Sequence, residues 1–443
     1  VSPRGNPWFD ITGFLCYNKL CITEKRGTMQ KQKLLVIGIT MNAAGSEKSF
    51  LSFANCLDYE KFDVTLLLAK KAGPFLPKIP PQVRVIELPE YGEMFTLDGA
   101  NATKTILHCF VRKNPLLLFE IFPYFIKTKL FPKKAHDTAT RLWCRLMRHM
   151  PPFPGEYDAA LAYWGDKTMF YMCDKVTAKH KVAWLHFDYE HPPRDDKTYF
   201  HYFNACDRLV TVSDTINRSL QCHFPALREK CVHMENIIDA KEILQSAENG
   251  TGFPDSDYTG LRILTVGRIA EQKGYDMAVA AMQRLCADGI DARWYILGEG
   301  TPADVAALRA GIASAGLETR IRILPRTNNP YRLMRDCDIY AQPSRHEGKP
   351  IAVEEAKILE KPILVTNYLS AGDQLLDGKL GMICAIDADS IYKGLKELCL
   401  SPQKRAEYKA VLAKSPKGNA EEMQVFYEML QTLDREKNSA KNS

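Results

Sequence analysis

The sequence predicts an α/β chain of two tandem Rossmann-like domains with a ligand cleft between them. Three observations predict it. Leu34–Ile39 is a nearly continuous apolar run, the pattern of a parallel strand covered on both faces. Apolar runs then alternate with helical stretches over roughly 30–235, and the alternation restarts after a polar, Gly/Asp-rich stretch, Glu248–Gly260, that reads as linker. At 443 residues the chain can supply both units with proper cores.

Taken in order, strands are expected at Leu34–Ile39, Asp63–Leu68, Val83–Leu88, Ala159–Ala162, Lys181–His186 and Leu209–Ser213. A small-residue loop, Asn42-Ala-Ala-Gly45-Ser46, leads from the first strand into a helix ending near Leu57. The second cycle places strands at Ile263–Val266, Ala292–Leu297, Ile321–Leu324, Asp338–Gln342, Pro362–Val365 and Gly381–Cys384. Helices alternate with them at about 275–287, 302–315, 351–359, 370–376 and 388–399. Residues 402–413 and 419–433 read as helical, and 434–443 as a charged, frayed tail. The expected division is therefore a first domain over 30–240, a second over 260–415, and a terminal segment 416–443 whose helix packs back on the first. A ligand belongs in the crevice between two such halves.

Composition is that of an ordinary globular chain, 46% hydrophobic and 25% charged, which sets aside disordered and collagenous classes. The net charge of +6 does not by itself imply a nucleic-acid partner, and none is expected. It is unevenly placed: Arg112–Arg148 holds nine Lys/Arg against Glu120 and Asp137. The thirteen cysteines form no CxxC pair and no Cys/His cluster at zinc spacing, so buried free thiols in a reducing, cytoplasmic setting are the simple reading. No apolar run reaches the ~18 residues of a membrane-spanning helix. Val1–Thr28 lacks a signal peptide's architecture, and Met29-Gln-Lys-Gln-Lys opens directly onto a strand. The first 28 residues therefore read as translated leader, the alternative being an N-terminal arm.

Three motifs carry chemistry. Gly267-Arg268-Ile-Ala-Glu-Gln-Lys273-Gly274 leaves a strand and opens a helix, where free backbone N–H groups and the helix dipole favour a phosphate; Arg268 and Lys273 add two cations. Gly298-Glu299-Gly300 follows the next strand and permits close backbone approach, although a plain turn explains it as well. The strongest is Gln342-Pro-Ser-Arg-His-Glu347-Gly348-Lys349-Pro350-Ile351-Ala-Val-Glu354-Glu355. Pro350 suits a helix's first turn, and from there Ile351, Glu355 and Ile358 fall on one face. A carboxylate in an apolar stripe is costly without a partner such as a ribose diol. Glu354 points elsewhere, within reach of Lys357, and Glu347 lies beside the N–H groups of the first turn. The plainer reading makes Glu347 a cap and Glu355 half of an ion pair.

Residues 30–433 resemble the retaining glycosyltransferases of family 4, with the GT-B fold, as in bacterial capsule and exopolysaccharide assembly. Glu347…Glu355 matches that family's E-x7-E motif, and Gly267-Arg268…Lys273-Gly274 its G-R-x4-K-G motif. The resemblance implies that Glu355 binds the donor ribose, Glu347 faces the donor sugar, and Arg268 and Lys273 hold the diphosphate. It implies further that the backbone of Gly348, Lys349, Pro350 and Ile351 contacts phosphate and sugar, with Gly267, Gly298 and Gly300 beside them. The family's G-G-x-E loop appears as Ala44-Gly45-Ser46-Glu47, keeping only the second glycine. Lys181–His186 is similar to the strand whose terminal histidine lies in the catalytic cleft, which makes His186 the candidate, with Asp188 nearby.

By resemblance, then, 30–240 is the acceptor-side domain and 260–415 the domain binding a nucleotide-diphosphate sugar, with a UDP-sugar favoured. No cofactor or metal is expected. The Asp-x-Asp triplets Asp255-Ser-Asp257 and Asp387-Ala-Asp389 fall in a linker and at a helix N-cap, which turn and capping chemistry explain. The basic segment suggests the acceptor: Arg141, Arg145 and Arg148 share a helical face, with Leu116, Leu117, Leu118, Phe119, Phe122 and Phe125 ahead of them. Apolar residues beside a basic stripe suit an anionic membrane surface, and hence a saccharide or polyprenyl-linked acceptor at the inner leaflet; a solvated face over ordinary core is the alternative. Rival functions are a sugar-nucleotide 2-epimerase of the same fold, which needs no acceptor, and a non-catalytic partner that kept the fold.

Overall fold

The computed structural model describes residues 30–42, 44–96, 102–130 and 135–442. Val1–Thr28, expected as leader, lies outside the described residues. The first sheet has seven parallel strands: β1 Gln32–Gly38, β2 Phe62–Leu68, β3 Arg84–Glu87, β4 Glu156–Ala162, β5 Thr177–Leu185, β6 Arg208–Thr211 and β7 Cys231–His233. Their spatial order is β3-β2-β1-β4-β5-β6-β7, with Leu35 opposite Thr65 on one side and Ala160 on the other. The second has six: β8 Leu261–Val266, β9 Ala292–Leu297, β10 Ile321–Leu324, β11 Ile339–Gln342, β12 Ile363–Thr366 and β13 Met382–Cys384, in the order β10-β9-β8-β11-β12-β13. Both are doubly wound, and each reverses direction beside its first strand. Such a switch point leaves a crevice at the carboxyl ends of the strands.

The apolar run that marked β1 is explained by its two buried faces. Leu35 and Ile37 pack with Trp143, Met147 and Phe170, whereas Leu34 and Val36 pack with Phe50, Phe53 and Trp184. The short β7 went unseen in the sequence because Cys231, Val232 and His233 are all only half-buried, which leaves no alternation and no apolar run.

Two regions depart from expectation. The charged tail is helical: Met423–Asn442 is continuous, and its Phe426, Met429, Leu430 and Leu433 bury against the first sheet's core. Phe426 meets the Phe53 ring edge-on at 5.0 Å, and Asp434 bonds His180 Nε2 at 2.9 Å. Charge here reflects ion pairs to Lys179 and Arg208 on the first domain. The helix carrying Arg141 and Arg145 ends at Met147, so Arg148 lies in the turn that follows it. Arg141 pairs with Asp195 at 2.7 Å and Arg145 with Glu120 at 2.7 Å.

The polar stretch 248–260 packs onto the second domain. Phe253 lies on the Tyr295 ring at 4.4 Å, and Asp255 accepts from Tyr295 Oη at 2.7 Å and from Arg293. No helix among the described residues is long and apolar enough to cross a membrane.

Candidate functional site

The two domains meet where the carboxyl ends of their strands face each other. From the first domain come the loop after β1 with the helix Gly45–Cys56, and the segment after β5 beginning at His186. From the second come the loop after β8, containing Arg268 and Lys273, and the loop after β11 that runs into the helix Ile351–Ile358.

The loop after β11 is pinned from both sides. Gln272 Nε2 donates to the His346 carbonyl at 2.8 Å, and the Arg345 N–H to the Gln272 carbonyl at 2.8 Å, tying it to the loop after β8. Gly274 is left-handed, φ 66°, and a Cβ there would strike the Pro343 carbonyl, which explains the glycine that closes the first motif where the second packs on it. Gly298 and Gly300 have the same kind of reason: side chains at these positions would collide with the carbonyls of Gly267 and Ile269.

Glu347 is nearly buried, and three donors converge on its Oε1: Lys273 Nζ at 2.6 Å, Gln342 Nε2 at 3.0 Å and Ser344 Oγ at 2.5 Å. Lys273 thus holds the carboxylate of the second motif. Arg268 is exposed near Glu47, a carboxylic acid whose pKa burial raises, with Ser46 and Arg268 acting in the opposite sense. Lys349 is buried and paired with Glu235 at 2.5 Å, so its charge is already balanced. Pro350 stands at the N-cap rather than inside the first turn.

Glu355 is 2% exposed, on the same buried face as Ile351 and Ile358, while Glu354 pairs with Lys357 at 2.7 Å. Its Oε1 accepts from Lys48 Nζ at 2.7 Å and Tyr331 Oη at 2.9 Å. Its Oε2 is buried with no partner. A buried carboxylate oxygen without a donor is unfavourable and marks a place that a ligand hydroxyl fills well. Lys48, Tyr331, Asn328, Ile237 and Asp239 line the pocket around it, between the domains.

His186 follows β5 directly, with the Tyr163 ring 5.0 Å away. Burial drives its pKa down to about 4 against the hydrogen bonds of the Tyr163 backbone and Asn236, so the ring is neutral at physiological pH, and its Nε2 has no partner. Gly348 packs so closely on the His186 carbonyl that no side chain would fit. Gly45 faces Ile351, whose Cδ1 is 3.8 Å from where a Cβ would stand. The structure therefore brings together Gly45, His186, Gly348, Ile351 and Glu355, with Glu347 on the loop of Gly348 and Lys273 bonded to Glu347 from the loop after β8. Arg141, Arg145 and Arg148 lie on other elements of the first domain.

Several site residues escaped sequence reasoning. Lys48 lies in the first turn of the helix Gly45–Cys56, and no local pattern marks its reach across the cleft. Tyr331 sits on a six-residue helix, Tyr331–Asp336, too short to leave a period. Asp373 accepts from Ser213 Oγ, the Thr215 N–H and Thr215 Oγ1, each at 2.7 Å, and so ties the second domain to the helix after β6; no local pattern announces it.

Three of the four triplet aspartates have structural occupations, and Asp257 is exposed in a turn. Asp387 Oδ1 accepts from the Ser390 N–H at 2.7 Å as a helix cap, Asp389 pairs with Lys393 at 2.6 Å, and Asp255 is engaged as described. Among the described residues, no three His, Cys, Asp or Glu side chains form a group able to hold a metal ion.

Comparison with known proteins agrees with this architecture. The family model described as glycosyl transferases group 1 matches residues 254–411, which contain both second-domain motifs. The N-acetylgalactosamine-N,N'-diacetylbacillosaminyl-diphospho-undecaprenol 4-alpha-N-acetylgalactosaminyltransferase of Campylobacter jejuni is 30% identical over 189 residues, 42% of this chain and 49% of that protein. An uncharacterized glycosyltransferase of Haemophilus influenzae is 26% identical over 233 residues, 52% of this chain and 62% of that protein. The chain thus spans about half the length of the curated relatives it matches. Among solved structures, Anabaena HepE in complex with UDP-glucose superposes with a TM-score of 0.62 at 14% identity, over 91% of this chain and 100% of that one. A glycosyltransferase from Rickettsia africae gives 0.60 at 15% identity, over 94% and 100%. The fold is GT-B.

Proposed function

We propose that the chain transfers a glycosyl group from a nucleotide-diphosphate sugar to a saccharide or polyprenyl-linked saccharide, with retention of configuration, in the manner of family 4. One observation carries the proposal: a buried carboxylate, Glu355, stands between two doubly wound domains with one oxygen unpartnered. A ribose hydroxyl donating to Oε2 satisfies it. The diphosphate then lies against the N–H groups opening Ile351–Ile358 and the Arg268 loop, and the sugar beside Glu347 and His186. UDP is the favoured nucleotide, in line with the UDP-glucose held by the Anabaena neighbour.

In this reading the bond between the sugar's anomeric carbon and the diphosphate oxygen breaks while the acceptor oxygen bonds to the same face. The acceptor's proton passes to the leaving phosphate, and no covalent sugar forms on the protein. Arg268 and Lys273 stabilise the departing charge, so rate depends on positioning and on fixed cations. His186, held neutral, offers a polar contact to the sugar without adding charge.

The lipid-linked acceptor is supported by the surface of the first domain. The helix Leu117–Leu130 exposes Phe119, Phe122, Ile126 and Leu130, continued by Leu116, with exposed Lys127 beside them. Such a face suits the interfacial layer of the inner leaflet and supports a peripheral position at the cytoplasmic membrane surface. It also moves the basis of docking from the arginines, two of which are paired, to this apolar helix.

The test is product analysis: incubation with a UDP-sugar and a lipid-linked saccharide, with the new linkage read by NMR. A product keeping the donor's anomeric configuration, formed equally in EDTA, supports the proposal. Inversion refutes retention, and loss of activity restored by Mn²⁺ refutes the role given to Arg268 and Lys273.

A further inference from the structure

Glu355 belongs to the second domain, yet its charge is balanced from the first. Lys48, on the helix Gly45–Cys56, crosses the cleft to Oε1 at 2.7 Å, and its Nζ also stands 4.8 Å from the centre of the Tyr331 ring. Tyr331 Oη reaches the same oxygen, so a neutral donor and a cation both occupy Oε1 while Oε2 stays buried and empty-handed. Within the second domain, and among the described residues, Tyr331 is the one side chain that hydrogen-bonds Glu355. A carboxyl group that is 2% exposed is poorly satisfied by a single hydrogen bond.

We propose that Lys48 is a positioning residue that makes ribose recognition conditional on the two domains being together. By holding Oε1 it fixes the rotamer of Glu355 and leaves Oε2 as the oxygen with room for a donor. A rotated Glu355 would lose that property, and with it the preference for a nucleotide carrying ribose hydroxyls. Ion pairing and ribose binding use different oxygens, so the donor need not displace Lys48 to bind. The site is complete only when both domains contribute, which couples nucleotide recognition to the geometry that also brings His186 against Gly348. The inference rests on the proposed assignment of Glu355 to the ribose.

The experiment is calorimetric titration with UDP and GDP and with their dideoxy forms lacking both ribose hydroxyls. It uses the full chain as wild type, Lys48→Met, Lys48→Arg and Glu355→Gln. Whichever nucleotide binds, the wild type is expected to prefer the ribose form by roughly tenfold or more, the scale of a charge-assisted hydrogen bond. Lys48→Met should lose most of that preference, Lys48→Arg should keep it, and binding of the dideoxy form should change little. A wild type with no preference overturns the ribose assignment itself. A wild type that discriminates, with a Lys48→Met that discriminates equally, leaves that assignment standing and overturns the role of Lys48. If Lys48→Met proves unfolded by circular dichroism, Lys48→Gln carries the same comparison, and undiminished preference in it overturns the proposal.

Discussion

Gly348 rests on the backbone carbonyl of His186, one residue from each side of the cleft, at a separation that admits no side chain. Gly348→Ala is therefore expected to hold the domains apart at the reaction centre. Turnover should fall by at least roughly tenfold, the effect of a barrier increase of ~1.4 kcal/mol, while the melting temperature changes little because neither core is touched. Wild-type turnover in this variant would show that the contact is incidental.

Glu347 gathers Lys273, Gln342 and Ser344 on one oxygen, which ties the two second-domain motifs together. Glu347→Gln should leave nucleotide binding near wild type and lower turnover, because the proposed partner of this group is the sugar. Unchanged turnover would refute that placement; a large loss of nucleotide affinity would assign the residue to the diphosphate instead.

The neutral His186 has a thermodynamic consequence. Its pKa is about 4 in the folded chain against 6.5 in the unfolded one, so between pH 6.5 and about 4 the proton is taken up mainly by the unfolded state. Stability contributed by this site is whole above pH 6.5 and is lost as pH falls towards about 4. Urea unfolding of wild type and His186→Gln across that window should give a shallower acid decline in the variant. Parallel curves would mean that His186 titrates alike in both states.

Much of the fold was legible in the sequence, for a reason visible in β1 and β9: parallel strands buried on both faces must be apolar nearly throughout. Ala292–Leu297 and Ile321–Leu324 appear with the expected bounds. Of the site, Glu355 was legible because a carboxylate among Ile351 and Ile358 breaks the apolar face it sits on. What was not legible depends on the tertiary partner. Nothing local to Lys48 says that it will cross a cleft, nothing local to Asp434 says that a charged segment stays helical to meet His180, and Arg141 and Arg145 look free until Asp195 and Glu120 are placed beside them.

Membrane docking through Leu117–Leu130 predicts co-sedimentation with vesicles containing anionic lipid. A Phe119→Ser/Phe122→Ser/Ile126→Ser variant should remain in the supernatant. High salt should weaken the wild-type interaction only partly, since the Debye length shrinks from ~10 Å at ~0.1 M to ~3 Å at ~1 M while apolar insertion is retained. Equal sedimentation of variant and wild type would remove this helix from the docking surface. Wild type left in the supernatant at low salt would favour a soluble acceptor.

The claim on which the account depends is that the cleft binds a nucleotide diphosphate through Glu355, and calorimetric titration of wild type and Glu355→Ala with UDP and GDP tests it most directly. The account predicts that at least one nucleotide binds the wild type and that the substitution weakens it by ~1.5–3 kcal/mol, roughly 10- to 150-fold. Equal affinity in the two proteins, or no binding of either nucleotide to the wild type, would contradict it.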